Sequence, residues 1–319
     1  MKRAALLALA LAVLVAPAIL PWDFYVNIAT QVLIAAIFAL SLNLLVGYGG
    51  LISLGHGAFL GASAYAVIFL TTRAGMAQLP AAACAVVFAT FLAALFGPIA
   101  LRASGLGFLM ITLALGQIMW GVAYRWVEVT GGDNGLSGFT RPQPFGLDLS
   151  SPHAFYVLAL LVFGCSFAFI ALLVHSPFGA GLRGVRDQPR RLRALGFDTW
   201  LIRYAAFVIA AFWAAVAGVL WAYYNQFVSP HVLSLTNSAE VLLMVIAGGA
   251  GTLFGPVAGA VIVVLLKNVA SAYVTRWMML LGIVFVVIVV FMPEGLVPGL
   301  ARLRRRSTGG VARPRTEGA

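Results

Sequence analysis

The sequence predicts an all-α integral membrane protein, a polytopic helical bundle of about ten (eight to ten) transmembrane segments with Gly-rich helix breaks. Three observations lead there. The 319 residues are 62% hydrophobic and only 9% charged, with a mean hydropathy of +1.03, whereas a soluble domain carries roughly 25% charged residues to cover its surface. The apolar residues fall in runs close to the ~20 residues that cross a bilayer as a helix. Two glycine clusters interrupt those runs. A transmembrane barrel is excluded, because its strands alternate polar and apolar over short stretches.

The candidate spans are, in order, Ala4–Leu20, Asn27–Val46, Ala58–Thr72, Gln78–Ala100, Leu106–Tyr124, His153–His175, Tyr204–Phe227, Ser234–Gly249, Phe254–Ser271 and Trp277–Met292. The first has Lys2 and Arg3, an apolar core and "APA" at 16–18, so it reads either as a signal peptide or, as favoured here, an uncleaved first helix. The domain organisation expected is an N-terminal helix and short outer turn over 1–25, a transmembrane domain over 26–300, and a disordered basic tail over 301–319. Cys84 and Cys165 lie inside apolar spans without a CxxC pattern, which suits packing rather than a disulfide or metal.

The net charge of +11 is unevenly placed. Segment 176–203 carries Arg183, Arg186, Arg190, Arg191, Arg193 and Arg203 against Asp187 and Asp198, and the tail beyond Gly299 carries six more arginines. Such segments stay in the cytoplasm, so this loop and both termini are expected inside. Loop 125–152, with two arginines and three acids, suits the outside. Ten spans satisfy these assignments, at the expense of two short spans, Ala58–Thr72 and Ser234–Gly249, and of Lys267–Arg276 near an outer turn.

The first glycine break is "VGYGGLISLGHGAFLG" (46–61), with Gly47, Gly49, Gly50, Gly55, Gly57 and Gly61; the second is "IAGGAGTLFGPVAGA" (246–260), with Gly248, Gly249, Gly251, Gly255 and Gly259. Glycine inside an element costs roughly 0.5–1 kcal/mol relative to alanine, so the clusters need a reason. Two compatible ones are close helix packing at four-residue spacing and the lining of a translocation pathway, where unwound backbone is tolerated. Neither break is a nucleotide site, since a phosphate loop needs a lysine followed by Ser or Thr after its last glycine.

Six ordered blocks carry a family resemblance: "LNLLVGYGGLISLGHGAFLGASAYA" (42–66), "LRASGLGFLMITLALGQI" (101–118), "TGGDNGLSG" (130–138), "SPFGAGLRGVRDQPRRLRALGF" (176–197), "SPHVLSLTNSAEVLLMVIAGGAGTLFGPVAGA" (229–260) and "FMPEGLVPGL" (291–300). Together they resemble the LivM-type permeases of branched-chain amino acid ABC importers. The resemblance implies a multi-pass subunit of the bacterial inner membrane, paired with a LivH-type permease. Two cytoplasmic ATPases and an extracytoplasmic binding protein would complete the importer. Its cargo would be a small neutral amino acid, typically branched-chain, although relatives carry urea, amides or aromatic acids. The chain itself then needs no cofactor, ATP being used by the partners, and its surroundings are lipid rather than nucleic acid.

Within 176–203, Asp187 suits a helix cap, Pro189 a first turn and Gly196 the position just past the end. The resulting two-turn helix is too short to stand alone in water. The resemblance matches it to the coupling element that seats on an ATPase, with Arg190, Arg191 and Arg193 making it unusually basic. The alternative is a solvated, positively charged loop. Candidate pathway residues are Asn43, Ser53, His56, Gln117 and Glu240, joined by Asn27, Gln31 and Thr112 as uncharged polar groups in or beside spans. His56 either lines the path or is satisfied by a backbone carbonyl; Glu240 either contacts the path or anchors structure. No metal ligand set and no nucleophile–base pair is evident, so no catalytic residue is expected. The rival reading is a stand-alone secondary transporter or channel for a small polar solute, which would want buried carboxylates for ion coupling.

Overall fold

A computed structural model describes residues 23–138 and 149–273, with scattered positions between 279 and 299. The first candidate span, most of the last, and the basic tail lie outside the described residues. The other eight runs are helices, five of them long and apolar enough to cross a membrane and three shorter. A total of ten spans therefore rests in part on residues outside that description.

Helix α1 (Asp23–Asn43) runs on into a π-helical turn, Leu44–Tyr48. The chain then unwinds and re-enters as α2 (His56–Thr72). Helices α3 (Gln78–Ala100) and α4 (Leu106–Arg125) form the next antiparallel pair. A short turn, α5 (Val127–Thr130), and a bridge between Leu136 and Val228 close that end of the bundle. Helix α6 (Pro152–His175) returns to the opposite end, where α7 (Pro177–Asp187) and α8 (Pro189–Ala194) form the arginine-rich loop. Helix α9 (Thr199–Asn225) crosses back. Helices α10 (Leu235–Gly248) and α11 (Gly255–Tyr273) form a hairpin around the second glycine break.

The sequence sets most helix starts. Ser151, Ser176 and Ser234 each accept a backbone N–H three residues on, and Asp198 accepts from Trp200 and Leu201, satisfying amides with no partner inside the helix. Pro152 and Pro177 follow two of these caps, where their fixed φ fits the first turn. Helix α8 departs from expectation. Its cap position is Gln188, without a side-chain hydrogen bond, and Asp187 is the last residue of α7. Pro189 does open α8, and Gly196 sits past its end with φ +86°.

The bundle has a centre and a periphery. Over their most apolar windows α1 is 78% buried and α9 67%, whereas α3 and α4 are each 22% buried. Small residues permit this. Helix α9 turns Ala210, Ala211, Ala214, Ala217 and Gly218 inward, and Ser63 of α2 donates to the Ala215 carbonyl at 2.8 Å. On α3 the buried positions are Ala81, Ala85, Ala89, Ala93 and Gly97, a stripe at four-residue spacing that lets helix backbones approach. Outward lie Val87, Phe88, Phe91 and Leu95. A helix with an apolar outer face and a small-residue inner face is suited to lipid on one side and protein on the other.

Candidate functional site

The two glycine breaks, 200 residues apart in sequence, touch each other. Asn43, at the end of α1, is fully buried. Its Oδ1 accepts from the Gly251 amide at 2.9 Å and its Nδ2 donates to the Thr252 carbonyl at 2.9 Å. One side chain thus satisfies a donor and an acceptor of an unwound segment, groups that are costly to leave unpaired when buried. A Cβ on Gly47 would overlap the Gly251 amide and Asn43 Oδ1, so glycine is required for the two segments to meet. Close packing and break lining, both expected for these glycines, coincide here. Helix α2 gains a further tie: the Gly57 amide donates to Ser238 Oγ of α10 at 3.0 Å. Leu54 N likewise donates to Thr112 Oγ1 of α4 at 3.3 Å.

The arginine-rich loop reaches this junction. Helix α7 buries Gly179, Leu182 and Val185, while Arg183 Nη1 donates to the Val174 carbonyl at the end of α6, at 2.9 Å. From the last turn of α7, Arg186 Nη1 donates to the Gly47 carbonyl. The Arg186 stem lies against Gly50, and the same Nη1 would stand 3.7 Å from a Cβ on Gly251. Asp187 Oδ1 accepts from Arg186 Nε at 2.8 Å. The cap role expected for Asp187 is therefore corrected: it orients the arginine that contacts the break. Arg186 carries no motif signal beyond one more positive charge in a basic loop.

Helix α8 buries nothing. Arg190, Arg191 and Arg193 project from it, and beside them Leu195 is 73% exposed and Phe197 54%. The surface at this end is basic and apolar together.

Near the junction His56, the first residue of α2, is fully buried. Ser41 Oγ gives its proton to the Phe38 carbonyl at 2.7 Å. The same Ser41 Oγ lies 2.9 Å from His56 Nε2. Among the described residues His56 Nδ1 has no hydrogen-bond partner, nor does buried Ser53 Oγ. The partner of His56 is thus a hydroxyl, not a backbone carbonyl. Its ring stacks on Phe38, with centroids 5.5 Å apart and planes 12° apart.

Toward the other end of α1, a recess of about 270 Å³ opens between α1, α2, α9, α10 and α11, its outermost α1 residue, Gln31, roughly 24 Å along the helix from Gly47 at 1.5 Å per residue. Glu240 stands in it, its side chain 13% exposed, paired with Lys267 Nζ at 3.1 and 3.3 Å. Behind them Gln31 Nε2 donates to Tyr224 Oη at 2.9 Å and Asn268 Nδ2 to Gln31 Oε1 at 3.0 Å. Lys267, a basic residue near an expected outer turn, is thus neutralised by the carboxylate across the α10–α11 hairpin. Gln117 is not part of this group; it borders a separate recess with Trp120, Asp133 and His231. Of the predicted pathway residues, Asn43, Ser53 and His56 gather around the first break, Glu240 lines the recess, and Gln117 stands apart. Among the described residues no three His, Cys, Asp or Glu converge as a metal would need.

Comparison with known proteins agrees with this architecture. The chain is 30% identical to the high-affinity branched-chain amino acid transport system permease protein LivM of Escherichia coli, over 92% of this chain and 75% of that one. It is 31% identical to the protein of the same name from Salmonella typhimurium, over 87% and 72%. Against a probable LivM of Methanocaldococcus jannaschii it is 26% identical over 51% and 52%. No solved structure matches. The family described as branched-chain amino acid transport system / permease component matches residues 24–289, from the first turn of α1 past the end of α11, and the chain is a multi-pass membrane protein belonging to that family.

Proposed function

We propose that this chain is the transmembrane permease subunit of an ATP-binding-cassette importer of the bacterial inner membrane, moving branched-chain or related neutral amino acids. Separate ATPase subunits drive it, a LivH-type permease stands beside it, and an extracytoplasmic binding protein delivers the substrate. The α7–α8 loop and both termini face the cytoplasm, in keeping with the concentration of arginine there. The observation that carries the mechanism is the contact of Arg186 with the junction of the two breaks. A pull on the loop moves a guanidinium bonded to the Gly47 carbonyl, and Gly47 is packed on Gly251. Unwound segments have few internal hydrogen bonds to lose, so they yield before the flanking helices. The loop would thereby open and close the path without melting a span.

Exposed Leu195 and Phe197 next to Arg190, Arg191 and Arg193 suit a partner groove that is acidic at its rim and apolar at its floor. Replacing all three arginines by glutamate is expected to leave insertion intact and to uncouple ATP hydrolysis from uptake, because like charges would then face each other across the contact. Uptake unchanged in that variant would rule out the coupling role of α8.

A further inference from the structure

The recess around Glu240 and Lys267 combines features that a structural ion pair does not need. Among the described residues its charged lining groups are that carboxylate and that ammonium, beside the neutral phenol of Tyr224, so the lining charges cancel. Below them the wall is apolar, formed by Ile34, Phe38, Val241, Met244 and Val263. A brace between two helices in lipid is served as well by apolar packing, since an ion pair recovers little beyond its desolvation cost. Ionisable groups at a cavity wall inside a membrane segment point to a solute that uses them.

We propose that this recess binds the transported amino acid as a zwitterion, an inference that rests on the importer reading above. The α-ammonium of the ligand takes the place of Lys267 Nζ on the Glu240 carboxylate. Its α-carboxylate takes the released Lys267 ammonium, and its aliphatic side chain lies on the apolar wall. Two opposite charges enter a neutral pocket and each finds a partner, whereas an anion or a cation alone leaves one charge uncompensated. The volume of about 270 Å³ lies just below the range of drug-sized sites, ~300–1,000 Å³, and suits a small solute. The existing ion pair competes with the ligand and keeps binding weak, as a site of passage requires. Phe38 forms part of the wall, and the same ring stacks on His56, so the bound solute rests above the segment that the two breaks close.

The test uses the full chain in membranes with its importer partners. Asn225, exposed at the recess, is replaced by cysteine in a Cys84→Ser/Cys165→Ser background, and its maleimide labelling is followed beside radiolabelled leucine uptake. Leucine is expected to slow labelling, while isocaproate, which lacks the ammonium, and isoamylamine, which lacks the carboxylate, do not. Glu240→Gln and Lys267→Met should each raise the leucine concentration for half-protection by roughly tenfold or more, the loss of one charge-assisted hydrogen bond. Because the analogue series leaves Glu240 and Lys267 in place, it stands even where those variants fail to fold. Uptake of leucine with no protection, or equal protection by all three compounds, overturns the pocket and leaves the importer reading intact. Absence of branched-chain amino acid uptake together with absence of protection overturns both.

Discussion

Arg186 and Asn43 between them connect three segments that are distant in sequence. Truncating Asn43 to alanine removes the partners of the Gly251 amide and the Thr252 carbonyl together. Leaving these two half-buried backbone groups without their side-chain partner is expected to cost about 1–3 kcal/mol in all, read as a fall in the thermal midpoint of the detergent-purified protein. Under the proposed function, uptake should fall further than stability, since the same contact joins the two breaks. The Arg186–Asp187 ion pair is 39% and 60% exposed at its side chains, so Asp187→Asn is expected to change stability by well under 1 kcal/mol. Its measurable effect would be on coupling, through looser placement of the guanidinium. Asn43 is legible in the sequence as a buried polar residue in an apolar helix. What it binds is not, because its partner lies 208 positions away and nothing local marks the pairing. Arg186 is hidden differently: among six arginines in one loop it has no distinguishing neighbour until α7 folds and aims it.

At the level of elements, the apolar runs mark eight helices correctly because in lipid the backbone has no other way to satisfy its own polar groups. Boundaries around the loop are less legible. The segment expected to hold one short helix holds two, because Ser176-Pro177 starts the 11-residue α7 ahead of Pro189, which starts α8. The four-residue alanine spacing of α3, Ala81 through Gly97, is a packing signal written in the sequence and outweighed there by overall hydropathy. It yields a contrast that can be measured. Ala85→Leu on the buried stripe is expected to destabilise by about 1–3 kcal/mol through overpacking. Phe91→Leu on the exposed face should stay within about 0.5 kcal/mol; thermal unfolding of both variants in the same detergent compares them. Gly47→Val should behave like the first, since any Cβ there overlaps the second break.

Over the whole molecule, charge, breaks and recess line up along one axis. The basic loop lies at one end, the Gly47–Gly251 junction next to it, the Phe38–His56 stack above, and the Glu240–Lys267 recess toward the far end. Helix α9 spans from loop to recess in 27 residues, roughly 40 Å at 1.5 Å per residue. Cysteines placed at Arg193 and Asn225 should therefore react with impermeant reagents from opposite sides of the membrane. This axis is the part of the account that a one-dimensional reading does not contain, because it depends on the α10–α11 hairpin bringing Lys267 back to Glu240 and Gly251 down to Gly47. The central claim is that loop movement reaches the breaks through Arg186. The most direct measurement is the ratio of leucine imported to ATP hydrolysed by the reconstituted importer carrying Arg186→Ala. The expected result is a complex that assembles and hydrolyses ATP but imports far less leucine per ATP than the unmodified protein. An unchanged ratio in an assembled complex would contradict the account.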